Sequence, residues 1–184
     1  VGNWIKYNNV RKDIIISTKG GTLDLIHPEK LGRLDKKELW FDLSKSLEAL
    51  KTDYVDIYFL HRDNENMPVG EILETLNEFT NCGFIKSFGC SNWKSERIKE
   101  AINYSKKNNI TGFIASQIQY SLATIKTEDF GDNTMVYMTD EEHRWYQQSR
   151  FPLFCYASQS NGFFTRAINF GYENIKENYQ AYAK

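Results

Sequence analysis

Five short apolar runs in this chain each lead to a side chain that can bond a polar ligand. Lys19 follows the run Asp13-Ile14-Ile15-Ile16-Ser17-Thr18, His61 follows Val55 to Leu60, and Ser91-Asn92 follow Ile85 to Cys90. Gln117 lies near the end of Phe113 to Ile118, and Tyr156 ends Pro152-Leu153-Phe154-Cys155-Tyr156. Together they supply an ammonium, an imidazole, hydroxyls and two side-chain amides, a set with both donors and acceptors. Any one of them taken singly is as readily a surface or loop residue. Five strand ends in succession, each carrying such a group, point to one ligand site.

The elements that must hold these groups alternate along the chain. The five runs are short, β-branched or aromatic, and only weakly alternating, as expected of parallel strands covered on both faces. Between them lie helical patterns. Asp35 and Glu38 form a capping pair ahead of Leu39, Leu43, Leu47 and Leu50, and Pro68 opens a stripe of Ile72, Leu73, Leu76 and Phe79 closed by Gly83. Ile98, Ala101 and Ile102 mark a third helix, and Thr139 with Glu142 caps a fourth after a long polar loop from Ala123 to Tyr137. A loop of that length is usually functional.

Strands alternating with helices predict parallel βαβ units in an α/β fold. An open dinucleotide-binding sheet would carry Gly-x-Gly-x-x-Gly after its first strand, and no such spacing exists among the 11 glycines. The pattern therefore favours a (β/α)8 TIM barrel, whose active site forms at the carboxyl ends of the strands. There Lys19, His61, Ser91, Asn92, Gln117 and Tyr156 would face one bowl.

Composition excludes several classes. With 23 basic and 24 acidic side chains mixed along 184 residues, the formal charge is −1, which leaves no basic field for nucleic acid or an anionic membrane. The apolar stretches fall short of the roughly 20 residues of a membrane helix, so a soluble cytoplasmic protein is expected. Cys82, Cys90 and Cys155 suit neither a disulfide framework nor a zinc site, and no metal is expected. His27 and His143 read as solvated, Trp93 and Tyr120 as packing, and Asp140-Glu141-Glu142 as the acidic first turn of a helix.

Taken in order, Ile16-Ser17-Thr18-Lys19-Gly20-Gly21, Thr52 to Tyr58 with Leu60-His61-Arg62, Gly83-Phe84-Ile85-Lys86, Gly89-Cys90-Ser91-Asn92-Trp93 and Ser116-Gln117-Ile118-Gln119-Tyr120 resemble the aldo-keto reductases, to about Phe164. The resemblance implies reduction of an aldehyde or ketone with NADPH (NADP as cofactor, a small carbonyl compound as partner) and a metal-free tetrad of Asp, Tyr, Lys and His. By motif, Lys19 is similar to the tetrad lysine, which lowers the pKa of the proton-donating tyrosine, and His61 to the histidine that orients the carbonyl oxygen. Ser91, Asn92 and Gln117 resemble the residues that hold the nicotinamide carboxamide, and Tyr156 the tyrosine stacked under its ring. Ser158, Gln159 and Gly162 match the pyrophosphate-side loop, although Ala157-Ser158-Gln159 stands where the family usually has Ser-Pro-Leu.

The tetrad Asp and Tyr belong to a βα unit that would precede this sequence. Five strands also fall short of the eight that close the barrel. A single barrel domain over residues 1–184, incomplete with about five of eight βα units and truncated at both ends, is expected, its oligomeric state open. Alternatives are a non-catalytic NADP-binding or regulatory barrel and an inactive fragment. A hydrolase or isomerase using His61 as base would lack paired carboxylates or a phosphate-type loop at these strand ends.

Overall fold

A computed structural model describes residues 1–23, 32–123, 132 and 134–182. His27, and residues 124–131 and 133 of the long polar loop, lie outside the described residues. Helix α1 (Gly2–Asn8) leads into a parallel sheet of β1 (Ser17–Gly20), β2 (Val55–Leu60), β3 (Ile85–Ser91), β4 (Ser116–Gln119) and β5 (Leu153–Tyr156). Helices α2 (Lys36–Leu50), α3 (Val69–Asn81), α4 (Ser95–Asn108) and α5 (Asp140–Ser149) connect the strands, and α6 (Phe163–Phe170) follows.

Each strand pairs in parallel with its sequence neighbours, in the order β1-β2-β3-β4-β5. A doubly wound sheet would reverse its strand order at a switch point, and none occurs among the five described strands. The fold is a parallel α/β sheet matching part of a (β/α)8 barrel, as the alternation of elements predicts. Its main core fills the space between sheet and helices, where Leu39, Leu43, Leu60, Leu73, Leu76, Phe88 and Ile98 are fully buried.

Several local signals act as expected. Asp35 caps α2 by accepting from the Lys37 and Glu38 amides, each at 3.1 Å, and Thr139 caps α5 by accepting from the Glu142 amide at 3.2 Å. In both pairs the glutamate is used elsewhere. Glu38 bonds Arg33, while the buried Glu142 carboxylate accepts from the Ser95 amide at 3.0 and 3.2 Å and so caps α4 from a neighbouring helix.

The first strand differs from its expected span of Asp13–Thr18. Arg11–Asp13 form a 3-10 turn, and Ile15 is 80% exposed. Side chains take over the backbone groups a ladder would use. The Arg11 guanidinium donates to the Ile14 carbonyl at 3.1 Å, and the Ile16 amide donates to Asp56 Oδ2 at 3.0 Å. Ladder pairing therefore starts at Ser17, and Lys19 sits inside β1 instead of after it. Likewise β4 begins at Ser116, with Phe113 and Ala115 buried just ahead of it, so Gln117 is also within its strand.

At the amino end of β2, Asp56 binds both Arg11 Nη2, at 2.9 Å, and Lys86 Nζ, at 2.8 Å. The two cations stand over the Tyr54 ring, 3.8 and 4.4 Å from its centroid. This cluster ties the chain before β1 to β2 and β3.

Candidate active site at the carboxyl ends of the strands

Two glycines let the sheet close up beneath the site. A Cβ on Gly20 would stand 1.7 Å from the Tyr58 hydroxyl, and one on Gly89 would stand 2.5 Å from the Phe59 ring. Lys19 pairs with Phe59 in register, and the His61 amide donates to the Gly20 carbonyl at 2.8 Å. The ends of β1 and β2 thus bring ammonium and imidazole onto neighbouring strands. Burial lowers the Lys19 pKa. Burial also lowers that of His61, with the Arg62 and Lys19 cations adding to the effect and Asp132 opposing it. His61 is accordingly a neutral imidazole at pH 7, able to donate one hydrogen bond.

This coupling is measurable. Lys19→Met removes one of the cations beside His61, so the His61 pKa is expected to rise toward its ordinary 6.5 in a histidine ring-proton NMR titration. A base whose folded pKa lies below the unfolded value loses stability as pH falls through the window between the two. The variant should therefore also narrow the acid-side loss of stability. An unchanged His61 titration would show that the two groups do not share a site.

The next three strand ends meet at Asn92. Its backbone is left-handed, at φ 58°, a conformation asparagine tolerates. Its amide Nδ2 donates to the His61 carbonyl at 3.2 Å and to Ser91 Oγ at 3.3 Å, while Oδ1 accepts from the Tyr156 hydroxyl at 2.6 Å and the Val136 amide at 3.3 Å. Its backbone N–H donates to the Gln117 carbonyl at 3.0 Å. Ser91, Asn92 and Tyr156 are thereby assembled at one mouth with Gln117, which pairs with Ser91 and Phe154 in register. Among the described residues the Gln117 side chain makes no hydrogen bond.

Ser158 and Gln159 are exposed in the turn after β5, and Gly162, at φ 85°, ends it at the start of α6. Ala157, Ser160 and Asn161 all have φ between 51° and 53° in that turn, a concentration of left-handed residues seen at ligand-holding loops. No hydrogen bond joins Ser158 or Gln159 to the Asn92 group among the described residues.

Three features were not legible as site residues. Arg62 donates to Thr134 Oγ1 at 2.9 Å and pairs with Asp132 at 3.1 Å, tying the returning loop to the end of β2. Its place beside His61 was the only signal. Gln119, two residues after Gln117, is buried and donates to the Tyr182 hydroxyl at 3.1 Å, and Asn161 donates to the same oxygen at 2.9 Å. Beside Asn92 lies a cavity of about 290 Å³ lined in part by Asp63, Glu65, Asn66, Lys94 and Met135. Trp93 is fully buried, as packing requires, whereas His143 is half-buried near the Tyr120 ring.

Among the described residues no cluster of His, Cys, Asp and Glu could hold a metal, and no helix is long and apolar enough to cross a membrane. Cys82, Cys90 and Cys155 are free thiols.

The parallel strands ordered by sequence agree with what a family comparison finds independently. The model of the Aldo/keto reductase family matches residues 1–178. The chain belongs to the aldo/keto reductase family. An aryl-alcohol dehydrogenase of Pestalotiopsis microspora is 30% identical over 125 residues, covering 66% of this chain and 33% of that protein. A "Probable voltage-gated potassium channel subunit beta" of Oryza sativa subsp. japonica is 32% identical over 115 residues, covering 61% and 34% respectively. A similarly named protein of Arabidopsis thaliana is 31% identical. The crystal structure titled as that of "a putative 2,5-diketo-D-gluconic acid reductase B" superposes with a TM-score of 0.61 at 21% identity. That match covers 88% of this chain and 49% of the other, so it speaks for the fold alone. The chain spans about a third of the length of the relatives it matches and about half of that structure.

Proposed function

We propose that this aldo/keto reductase chain carries the lysine–histidine half, and the nicotinamide-holding side, of a site that reduces an aldehyde or ketone with NADPH. The observation that carries the reading is the His61–Gly20 hydrogen bond, which sets Lys19 and His61 on adjoining strands at the carboxyl edge. The donor set suits the cofactor. Ser91 and Gln117 offer a hydroxyl and an amide to a carboxamide, Tyr156 offers a ring face, and Ser158, Gln159 and Gly162 lie in the turn proposed for the phosphate side.

Bound NADPH would supply the hydride. Lys19 and His61 would supply part of the remainder. Neutral His61 donates a hydrogen bond to the carbonyl oxygen and fixes its direction. As negative charge develops on that oxygen, the Lys19 ammonium stabilises it and lowers the pKa of a phenolic proton donor. Among the described residues no tyrosine hydroxyl bonds to Lys19, so turnover by this chain should lack the general acid's contribution of about 10² to 10⁴-fold.

Fluorescence titration of NADPH with the 184-residue chain, followed by NADPH oxidation in the presence of an aldehyde, tests both parts. Saturable binding with very slow oxidation is expected. Absence of binding would overturn the reading, and turnover at an ordinary reductase rate would overturn the incompleteness.

A second reading is a regulatory barrel that binds the cofactor without turnover. It is favoured by the likeness to two proteins named as potassium channel β subunits. A longer form that binds NADPH yet leaves it unoxidised beside an aldehyde would select it.

A further inference from the structure

Lys19 stands just ahead of two glycines, the residues least able to hold a backbone by themselves. Gly20 ends β1, and Gly21 is left-handed at φ 70°. Where the Lys19 ammonium stands relative to His61 therefore depends on what fixes this pair. The peptide group between the two glycines is bonded on both sides. Its carbonyl, from Gly20, accepts from the His61 amide at 2.8 Å, and its N–H, from Gly21, donates to Asp42 Oδ2 at 2.8 Å.

Asp42 lies in α2 with its side chain 15% exposed. Gly20 lets the helix come close, since a Cβ there would stand 3.0 Å from Asp42 Cβ. The second carboxylate oxygen, Oδ1, accepts from Arg33 Nη2 at 3.1 Å, and Arg33 Nε donates to Glu38 at 2.8 Å. One carboxylate thus holds the chain where it leaves β1, at Gly21, and where it returns toward α2, at Arg33. A charged acceptor makes the stronger hydrogen bond and polarises the peptide, which strengthens the carbonyl's own bond to the His61 amide.

We propose that Asp42 is a positioning residue of the reductase site: it clamps the Gly20–Gly21 peptide and through it sets the spacing of Lys19 and His61. The role rests on Lys19 and His61 acting together, as in the function proposed above.

Histidine ring-proton NMR of the 184-residue chain tests it, with Lys19→Met as the reference variant and circular dichroism as the check on folding. Lys19→Met should raise the His61 pKa by removing a nearby cation. Asp42→Ala should move it in the same direction, because the ammonium is no longer held in place, and the double variant should rise no further than Lys19→Met alone. The direct field of the lost carboxylate has the opposite sign, since removing a negative charge lowers a histidine pKa. In Asp42→Ala the Gly21 and His61 amides should also exchange with solvent about tenfold faster or more, as befits the loss of a charge-assisted bond. Asp42→Asn keeps a neutral acceptor for Gly21 while Arg33 keeps Glu38, and it should return both readings most of the way to wild type. A His61 pKa that falls or stays put in Asp42→Ala, beside a rise in Lys19→Met, would overturn the proposal and leave the Lys19–His61 site intact. No rise in Lys19→Met would overturn both. If Asp42→Ala does not fold, amide exchange in the wild-type and Asp42→Asn chains decides: a Gly21 amide protected in both supports the role, and one that exchanges freely in wild type overturns it.

Discussion

Replacing Arg97 with alanine should destabilise the chain by about 3–5 kcal/mol, the cost of stripping one partner from a buried ion pair. Arg97 and Asp63 are only 12% and 11% exposed, with Nε 3.2 Å from Oδ2. The same guanidinium donates to the Met67 carbonyl at 2.6 Å and the Asn64 carbonyl at 3.3 Å, and stands 5.4 Å from the centroid of the Trp93 ring. It therefore fastens the whole β2–α3 loop, one wall of the cavity beside Asn92, to helix α4. Burial raises the Asp63 pKa, and the pull of Arg97 only partly offsets it. Without Arg97 the carboxylate keeps the Asn64 amide at 2.8 Å but loses its ion-pair partner. Asn at position 63 removes that charge, so the double variant R97A/D63N should recover part of the stability lost by R97A. Urea denaturation measures both; a loss below about 1 kcal/mol for R97A would place the pair among surface bridges of little weight.

The second large effect concerns acid. Burial by itself would raise the pKa of Asp56, but hydrogen bonds from Lys86, the Ile16 amide and Arg11 outweigh it and hold the group at about 2. A carboxyl with a depressed folded pKa contributes stability that is present above its ordinary 3.8 and is lost as pH falls toward 2. The shift corresponds to about 2 kcal/mol, an upper figure because Lys86 is exposed to solvent. Asp56→Asn should cost about that much at pH 7 and flatten the acid limb of the stability curve between roughly pH 4 and pH 2. Glu142 runs the other way: burial raises its pKa, so its titration favours the fold as pH falls. A wild-type chain as stable at pH 2 as at pH 5 would show that the Asp56 cluster does not hold its charge.

These two clusters also show where sequence reading stops. Strand β2 was legible to the residue, because Val55 to Leu60 are mostly buried and need no side chain to complete their ladder. Strand β1 starts later than its residue types imply, because Arg11 takes the Ile14 carbonyl and Asp56 the Ile16 amide, although Ile14 to Ile16 carry the right residue types. The Asp56 bond joins residues 40 positions apart, and local periodicity holds no trace of it. The same limit governs the site. Lys19, His61, Ser91, Asn92, Gln117 and Tyr156 could be named from residue type at strand ends and from family motifs. That Asn92 spends its amide on four protein partners, that Arg62 anchors the returning loop, and that Glu142 caps a helix other than its own depend on tertiary proximity. Capping pairs were visible as Asp35/Glu38 and Thr139/Glu142, but only the Asp35 and Thr139 halves act as the local pattern implies.

The strictly sequential strand order carries a consequence for how the chain assembles. Each of β2 to β5 finds a hydrogen-bonding partner one helix earlier, so each new βα unit can dock on the edge already formed as it is synthesised. Among the five described strands no pairing skips a βα unit, and each unit adds one short loop-closure cost. The sheet can therefore grow in one direction, from its amino-terminal edge, with β5 the last of the five to join.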